Sequence, residues 1–367
     1  MQALILAGGE GTRLRPLTST IPKPVVPMVD RPFITYMIEW LRAYGVEDVI
    51  LACGFMAADV RRVIGDGASL GVRLRYIEEP RPLGTGGAVK YAQDLLAERF
   101  LMLNGDVLTD IDLSAQLSQH ERTGARATLA LVEVKDPSPY GLVRCGSDHA
   151  VKAFVEKPSP GEAGTNLISA GAYVLERDVL DEMPPAGTNI SIERDLFPRL
   201  VARGLYGHAA SGYWLDIGTP ERYLQGTFDI LCRRVRTQLT ERLEREGSVL
   251  VESAEVGATV IAPALVRGDC TLAADCTLGP EAVLASSVVV GARARVQRSV
   301  VLDGASIGAG SVVSDTIVGP AARIGSDCQI GPGAVVGEGA VVGSGNVLEP
   351  AARIVPGAVL GEEAITP

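Results

Sequence analysis

IGSDCQIGPGAVVGEGAVVG, residues 324–343, places an aliphatic residue at every sixth position: Ile324, Ile330, Val336 and Val342. That spacing matches neither the period of an amphipathic helix nor the alternation of a half-buried strand. It extends back through Val260, Val266, Leu272, Leu278, Leu284, Val290, Val296 and Leu302. After phase slips of one residue it resumes at Val318 and runs on to Leu348, Ile354 and Leu360. This is the hexapeptide repeat of a left-handed parallel β-helix. One apolar residue per triangular side points into a stacked core, and the neighbouring Gly or small residue lets the backbone turn the corner.

Upstream the pattern differs. ALILA (3–7), DVILACG (48–54), RLRYIEE (73–79), FLMLNGD (100–106) and ATLALVEV (127–134) read as strands. FITYMIEWLRAYG (33–45) and GGAVKYAQDLLAE (86–98) read as helices between them. Alternation of this kind predicts an α/β, Rossmann-like, mostly parallel sheet covered on both faces. A polar stretch from Pro220 to Glu246, with Gly247 beyond it, predicts a helix. The expected organisation is a catalytic domain over 1–225, a helical linker over 226–250 and the β-helix over 251–367.

Composition narrows the function classes. The chain has 367 residues, 47% hydrophobic and 21% charged, with a net charge of −10. An acidic balance disfavours nucleic acid or an anionic membrane as partner. No apolar run approaches the length of a membrane span, and MQALILAGG lacks the basic leader of a signal peptide. The six cysteines form no CxxC pair, so reduced buried thiols in the cytoplasm are expected. Hexapeptide helices also occur in acyltransferases, whose chemistry usually needs a His base. His120, His149 and His208 all precede the repeats, so the tail reads as scaffold, assembly surface or regulatory module. A β-helix ends in open backbone that must be capped or paired, which predicts a homo-oligomer.

LAGGEGTRLRPLTSTIPKP, residues 6–24, joins a glycine-rich turn to Arg13, Arg15 and Lys23 in a chain that is acidic overall. It lacks the G-x-x-x-x-G-K-[ST] of a P-loop, and Leu14 stands where a dinucleotide fingerprint needs its third Gly. A solvated basic loop is the plainer reading; backbone N–H groups with clustered cations otherwise suit a polyphosphate. Only five lysines occur, and two of them, Lys23 and Lys157, stand directly before Pro. Asn104-Gly105-Asp106 closes a strand at the edge where open sheets bind ligands, and Asp216 ends another short strand. Each Asp alone suits a turn or an N-cap; together, near a phosphate loop, they suit Mg²⁺.

LAGGEGTRLRPLT, PKPVVPMVDRPFI, PLGTGGA, NGDVL, FVEKP, NLISAGAYVLE, SIERDLFP and YWLDIGTPERYL occur in this order. In them the sequence resembles the sugar-1-phosphate nucleotidyltransferases (NDP-sugar pyrophosphorylases), in particular their mannose-1-phosphate guanylyltransferase branch. The resemblance implies that the loop with Gly8, Gly9, Gly11, Thr12 and Arg13 wraps a nucleoside triphosphate, with Lys23 on its phosphates. Gly84, Thr85 and Gly86 would lie along the base, near Leu6 and Ala7, with Gly105 in the same nucleotide site. Asp106 and Asp216 would bind Mg²⁺. Lys157 would hold the sugar phosphate, Gly141, Glu156 and Asn166 would line the sugar, and Gly171 would let the chain pass beneath it.

The implied reaction is attack of a hexose 1-phosphate on the α-phosphorus of the triphosphate, with pyrophosphate leaving. GTP with mannose 1-phosphate is the expected pair. UTP or dTTP with glucose 1-phosphate is the alternative within the family, and a non-catalytic nucleotide-sugar sensor is the alternative outside catalysis.

Overall fold

A computed structural model of the chain describes residues 1–156, 165–252 and 254–366. The chain divides into two compact units, each assembled from separated segments. One comprises Met1–Glu10 and Ile34–Trp214, the other Gly11–Phe33 and Leu215–Pro367.

Among the described residues, the first unit is built on a sheet of nine strands: β1 (Gln2–Ala7), β2 (Asp48–Cys53), β3 (Arg73–Glu78), β4 (Arg99–Asn104), β5 (Ala127–Glu133), β6 (Gly141–Cys145), β7 (Val151–Glu156), β8 (Leu167–Glu176) and β9 (Leu205–Ala209). β1 and β2 are near-continuous apolar runs, as strands covered on both faces must be; Leu4, Ile5, Ile50 and Leu51 are fully buried. β4, β1, β2 and β3 pair in parallel in that order, so all four end at one edge. Beyond β4 the sheet departs from the mostly parallel expectation and is mixed. β8 runs antiparallel to β4 and β5, and β6 and β7 form an antiparallel pair. The cause is the connection. β6 and β7 are joined by a tight turn, with Gly146 N donating to Ala150 O at 2.9 Å, and a hairpin reverses the chain where a crossover helix preserves its direction. Tyr173 of β8 and Phe154 of β7 pack edge-on against Phe197 in the core, with ring centroids 5.0 Å and 5.4 Å away.

The second unit carries the β-helix: among the described residues, three parallel sheets of seven, seven and six short strands. Val266 stacks on Leu284, then Val301, Val318 and Val336. The inward residue at the first slip is thus Val301, where the period predicts Leu302. The sides Val296–Val301 and Val313–Val318 are each one residue short, and buried hydroxyls close them. Ser299 Oγ donates to Gln297 O (2.7 Å) and accepts from Thr316 N (3.0 Å), while Thr316 Oγ1 donates to Ser314 O (2.8 Å). Corner residues Glu281, Arg298 and Asp315 all have positive φ. They form a charge ladder, with Arg298 bonded to Glu281 on one side and to Asp315 at 2.7 Å on the other.

One side of this solenoid is apolar outside as well as inside. Leu265, Val283, Val300, Ile317 and Val335 share one register column that alternates with the inward one, yet each is at most 1% exposed. The helix Pro220–Leu231 covers this side. Phe228 lies under the Arg298 guanidinium at 4.8 Å, Cys232 Sγ donates to Glu281 at 3.3 Å, and Glu221 pairs with Arg353 at 3.5 Å. The expected single helix over 220–246 is two. Arg233 turns left-handed, Arg234 N bonds back to Asp229 O, and a second helix, Gln238–Glu246, starts at a reciprocal Thr237–Thr240 capping box. All six cysteines are free thiols, and no helix among the described residues is long and apolar enough to cross a membrane.

Replacing Ser299 by Ala removes the acceptor for the buried Thr316 N–H. An orphaned buried donor costs about 1–3 kcal/mol, so S299A is expected to lower the denaturant midpoint, whereas substitution at the exposed Ser19 is expected to leave it unchanged.

Candidate active site

On the first unit, loops leave the C-terminal ends of the parallel strands side by side, the edge at which open α/β sheets bind ligands. Gly8 and Gly9 follow β1, Glu79 follows β3, and Gly105 and Asp106 follow β4. Gly105 is required by packing: its N–H donates to Leu6 O at 2.9 Å, and a Cβ there would lie 2.4 Å from that oxygen. Asp106 stands half-buried immediately beyond. Asn104, just before it, keeps its Oδ1 buried without a hydrogen-bond partner among the described residues, and its amide fills the space beside Gly171. Gly9 differs, since among the described residues nothing lies within 4 Å of where its Cβ would be. Ala7 is buried and Leu6 partly so.

The GTGGA glycines have a structural duty. They open the helix Gly84–Tyr91, with Gly84 at φ +72°, and Gly86 N and Gly87 N donate to Ile190 O at 3.0 Å and 3.2 Å. A Cβ at Gly84 would stand 2.5 Å from Ile190 O, and one at Gly87 2.4 Å from Thr188 O. Thr85 Oγ1 donates to Glu193 (2.6 Å) and accepts from Ile192 N (3.0 Å). Glu193 lies in the π-helical turn Ile192–Leu196, a kind of bulge frequent at functional sites. The sequence reading missed Glu193, although SIERDLFP was among the motifs that carried the resemblance.

Gly141 and Glu156 are cross-strand partners on β6 and β7, and a Cβ at Gly141 would lie 2.9 Å from Glu156 Oε2. Two of the three residues expected to line the sugar are therefore brought together. Gly171 has φ +71° at the point where the β8–β5 register shifts, so its backbone need is real. Asn166 is exposed at the start of β8. Lys157 lies outside the described residues.

The second unit holds a group of charges of its own. Gly11 is left-handed (φ +63°), its carbonyl accepts from Thr18 Oγ1 at 2.8 Å, and a Cβ there would lie 3.1 Å from Lys23 Cβ. Thr12 and Arg13 are exposed and Lys23 is buried. Asp216, 8% exposed, is ion-paired with Arg222. A Cβ on Gly218 would stand 2.7 Å from Arg13 Nη2 and 3.0 Å from Asp216 Oδ2. Gly218 thus leaves the space that the Arg13 guanidinium occupies beside the Asp216 carboxylate. Arg222 also escaped the sequence reading; its place in the first turn of a helix capped by Thr219 was the available signal.

Among the described residues no cluster of three or more His, Cys, Asp or Glu forms a metal site. Asp106 on the first unit and Asp216 on the second are each a carboxylate, the oxygen-donor type that hard divalent cations take.

The family model described as Nucleotidyl transferase matches residues 2–232, and the one described as GMPPB C-terminal domain matches residues 260–362. Mannose-1-phosphate guanylyltransferase of Mycobacterium tuberculosis is 37% identical over 313 residues, covering 84% of this chain and 82% of that protein. Mannose-1-phosphate guanylyltransferase catalytic subunit beta of Danio rerio is also 37% identical, with the same coverage. Among solved structures, HddC from Yersinia pseudotuberculosis, complexed with GMP-PN, is 31% identical with a TM-score of 0.53, over 62% of this chain and 97% of its own.

Two glycine substitutions separate packing from function. Gly105→Ala drives a Cβ into the backbone oxygen of Leu6. Overpacking of this kind costs about 1–3 kcal/mol, or roughly 2–12 °C in melting temperature for a unit of this size. Gly218→Ala meets side-chain ends, the Arg13 guanidinium and the Asp216 carboxylate, and no backbone atom, so its melt is expected to fall less than that of Gly105→Ala while catalysis falls. Thermal melts and initial rates on both variants check the contrast.

Proposed function

The chain belongs to the nucleotidyl transferase family, and within it we propose that the protein joins GTP to mannose 1-phosphate, giving GDP-mannose and pyrophosphate. The observation that carries this reading is the similarity to mannose-1-phosphate guanylyltransferases across both the α/β part and the repeats. The charge layout agrees with it. A phosphate oxygen of the sugar phosphate attacks the α-phosphorus in line; the new O–P bond forms as the bond to the bridging oxygen of pyrophosphate breaks. The attacking phosphate is already an anion, so no Ser, Cys or His nucleophile is needed. The barrier lies in bringing two polyanions together and aligning them.

In this reading Gly8, Gly9, Gly11 and Thr12 offer backbone to the triphosphate, and Arg13 and Lys23 neutralise it. Arg13 is exposed and able to swing from Asp216 to phosphate; Lys23 is buried and placed as a fixed charge. Gly84, Thr85 and Gly86 border the base, Lys157 binds the sugar phosphate, and Gly141, Glu156 and Asn166 face the sugar. Asp106 and Asp216 are the proposed Mg²⁺ carboxylates; the ion, when bound, supplies charge neutralisation at the phosphate oxygens. We place the protein in the cytoplasm, where its free thiols stay reduced, as a homo-oligomer.

Pyrophosphate release, measured with Mg²⁺ while crossing GTP, UTP, dTTP, ATP and CTP with mannose and glucose 1-phosphates, tests the reading. GTP with mannose 1-phosphate is expected to give the highest kcat/KM, falling on the order of a hundredfold in Asp106→Asn. A preference for UTP or dTTP with glucose 1-phosphate would replace the substrate pair. Silence with a folded protein would indicate a sensor.

A further inference from the structure

The proposed reading gives Arg222 no part, yet this residue is ion-paired with Asp216, one of the two carboxylates proposed for Mg²⁺. The two oxygens of Asp216 face different cations. Arg222 Nη1 meets Oδ1. Oδ2 and Arg13 Nη2 both lie within 3.0 Å of one point, the position that a Cβ on Gly218 would take. Asp216 is only 8% exposed, so water and salt screen these charges little. Arg222 itself stands in the first turn of the helix Pro220–Leu231, the end at which the backbone dipole disfavours a cation. Thr219 caps that helix through the backbone N–H of Arg222, not through its side chain. The helix end therefore gives no reason for a guanidinium here. The carboxylate does.

The charges decide what reaches Asp216. Two guanidiniums and one carboxylate leave a net positive group, to which the helix N-terminus adds. Such a group repels a free divalent cation, whose entry would also break a buried ion pair. A triphosphate that already carries the cation is still an anion. Its phosphates draw the guanidiniums off, and the Asp216 oxygens are then open to the cation. We propose that Arg222 is a positioning residue that keeps Asp216 closed to a free divalent cation, so that Asp216 takes the cation only together with a polyphosphate. Until the polyphosphate arrives, Arg222 supplies the counter-charge that a buried carboxylate needs.

The inference rests on the proposed metal role of Asp216, and binding of Mn²⁺ alone to the full chain tests it without turnover. Mn²⁺ stands in for Mg²⁺ and is followed by electron paramagnetic resonance. Arg222→Gln is expected to bind Mn²⁺ roughly tenfold or more tightly than wild type, since it removes a like charge beside a divalent ion. Arg222→Lys keeps the charge and is expected to stay within about threefold of wild type. Asp216→Asn in the R222Q background is expected to abolish the gain, which assigns it to this carboxylate and not to Asp106. Mn²⁺ is likewise expected to raise the melting temperature of R222Q more than that of wild type, and the same melts confirm that each variant folds. Equal Mn²⁺ affinity in wild type and folded R222Q would overturn the assignment, as would a gain that survives Asp216→Asn. Either result leaves nucleotidyl transfer standing. Failure of the functional reading shows separately, as no pyrophosphate release from any substrate pair, whatever the Mn²⁺ titration gives.

Discussion

The outward column Leu265, Val283, Val300, Ile317 and Val335 has to be kept from water, and much of the second unit follows from that need. Each such side chain contributes roughly 1.5–3 kcal/mol when buried, so a bare solenoid side would be a strong sticking surface. The helix Pro220–Leu231 covers it. Thr219 caps that helix and Asp216 precedes it by a few residues, so the cover also sets the position of a proposed metal carboxylate. The Tyr223 hydroxyl, on the same helix, donates to Pro27 O and ties in the segment that carries Arg13 and Lys23. The repeat tail is thereby the foundation on which the proposed phosphate-binding charges are mounted, although it contributes no proposed catalytic group of its own.

Glycine has three separable uses in the site. At Gly105 and Gly87 a neighbouring carbonyl occupies the Cβ position, and the residue serves close backbone packing. At Gly218 the space holds a guanidinium beside a carboxylate. At Gly9 the space is open. A glycine-rich motif is therefore not by itself a measure of how much backbone a ligand touches; in GTGGA the glycines seat a helix on residues 188–192.

The carboxylates divide by their partners. Asp216 is held by Arg222 beside Arg13, a pairing that gathers positive charge around a buried acid. Among the described residues Glu79 has a single backbone donor and no cation. The first arrangement suits a group that exchanges partners as polyanions arrive.

Period and order along the chain were enough to identify the β-helix and the alternating α/β part. Hydrophobic spacing reports which residues avoid water, and that is largely a local property. Three things were decided only in three dimensions. Val300-Val301-Leu302 offers three consecutive apolar residues, and stacking on Leu284 and Val318 selects Val301 as the inward one. The direction of β8 depends on the hairpin before it and on its pairing with β4, neither of which leaves a periodic trace. Glu79, Glu193 and Arg222 are ordinary charged residues in the sequence. Their meaning comes from what the fold sets within about three ångströms of them, and no spacing along the chain encodes that neighbourhood.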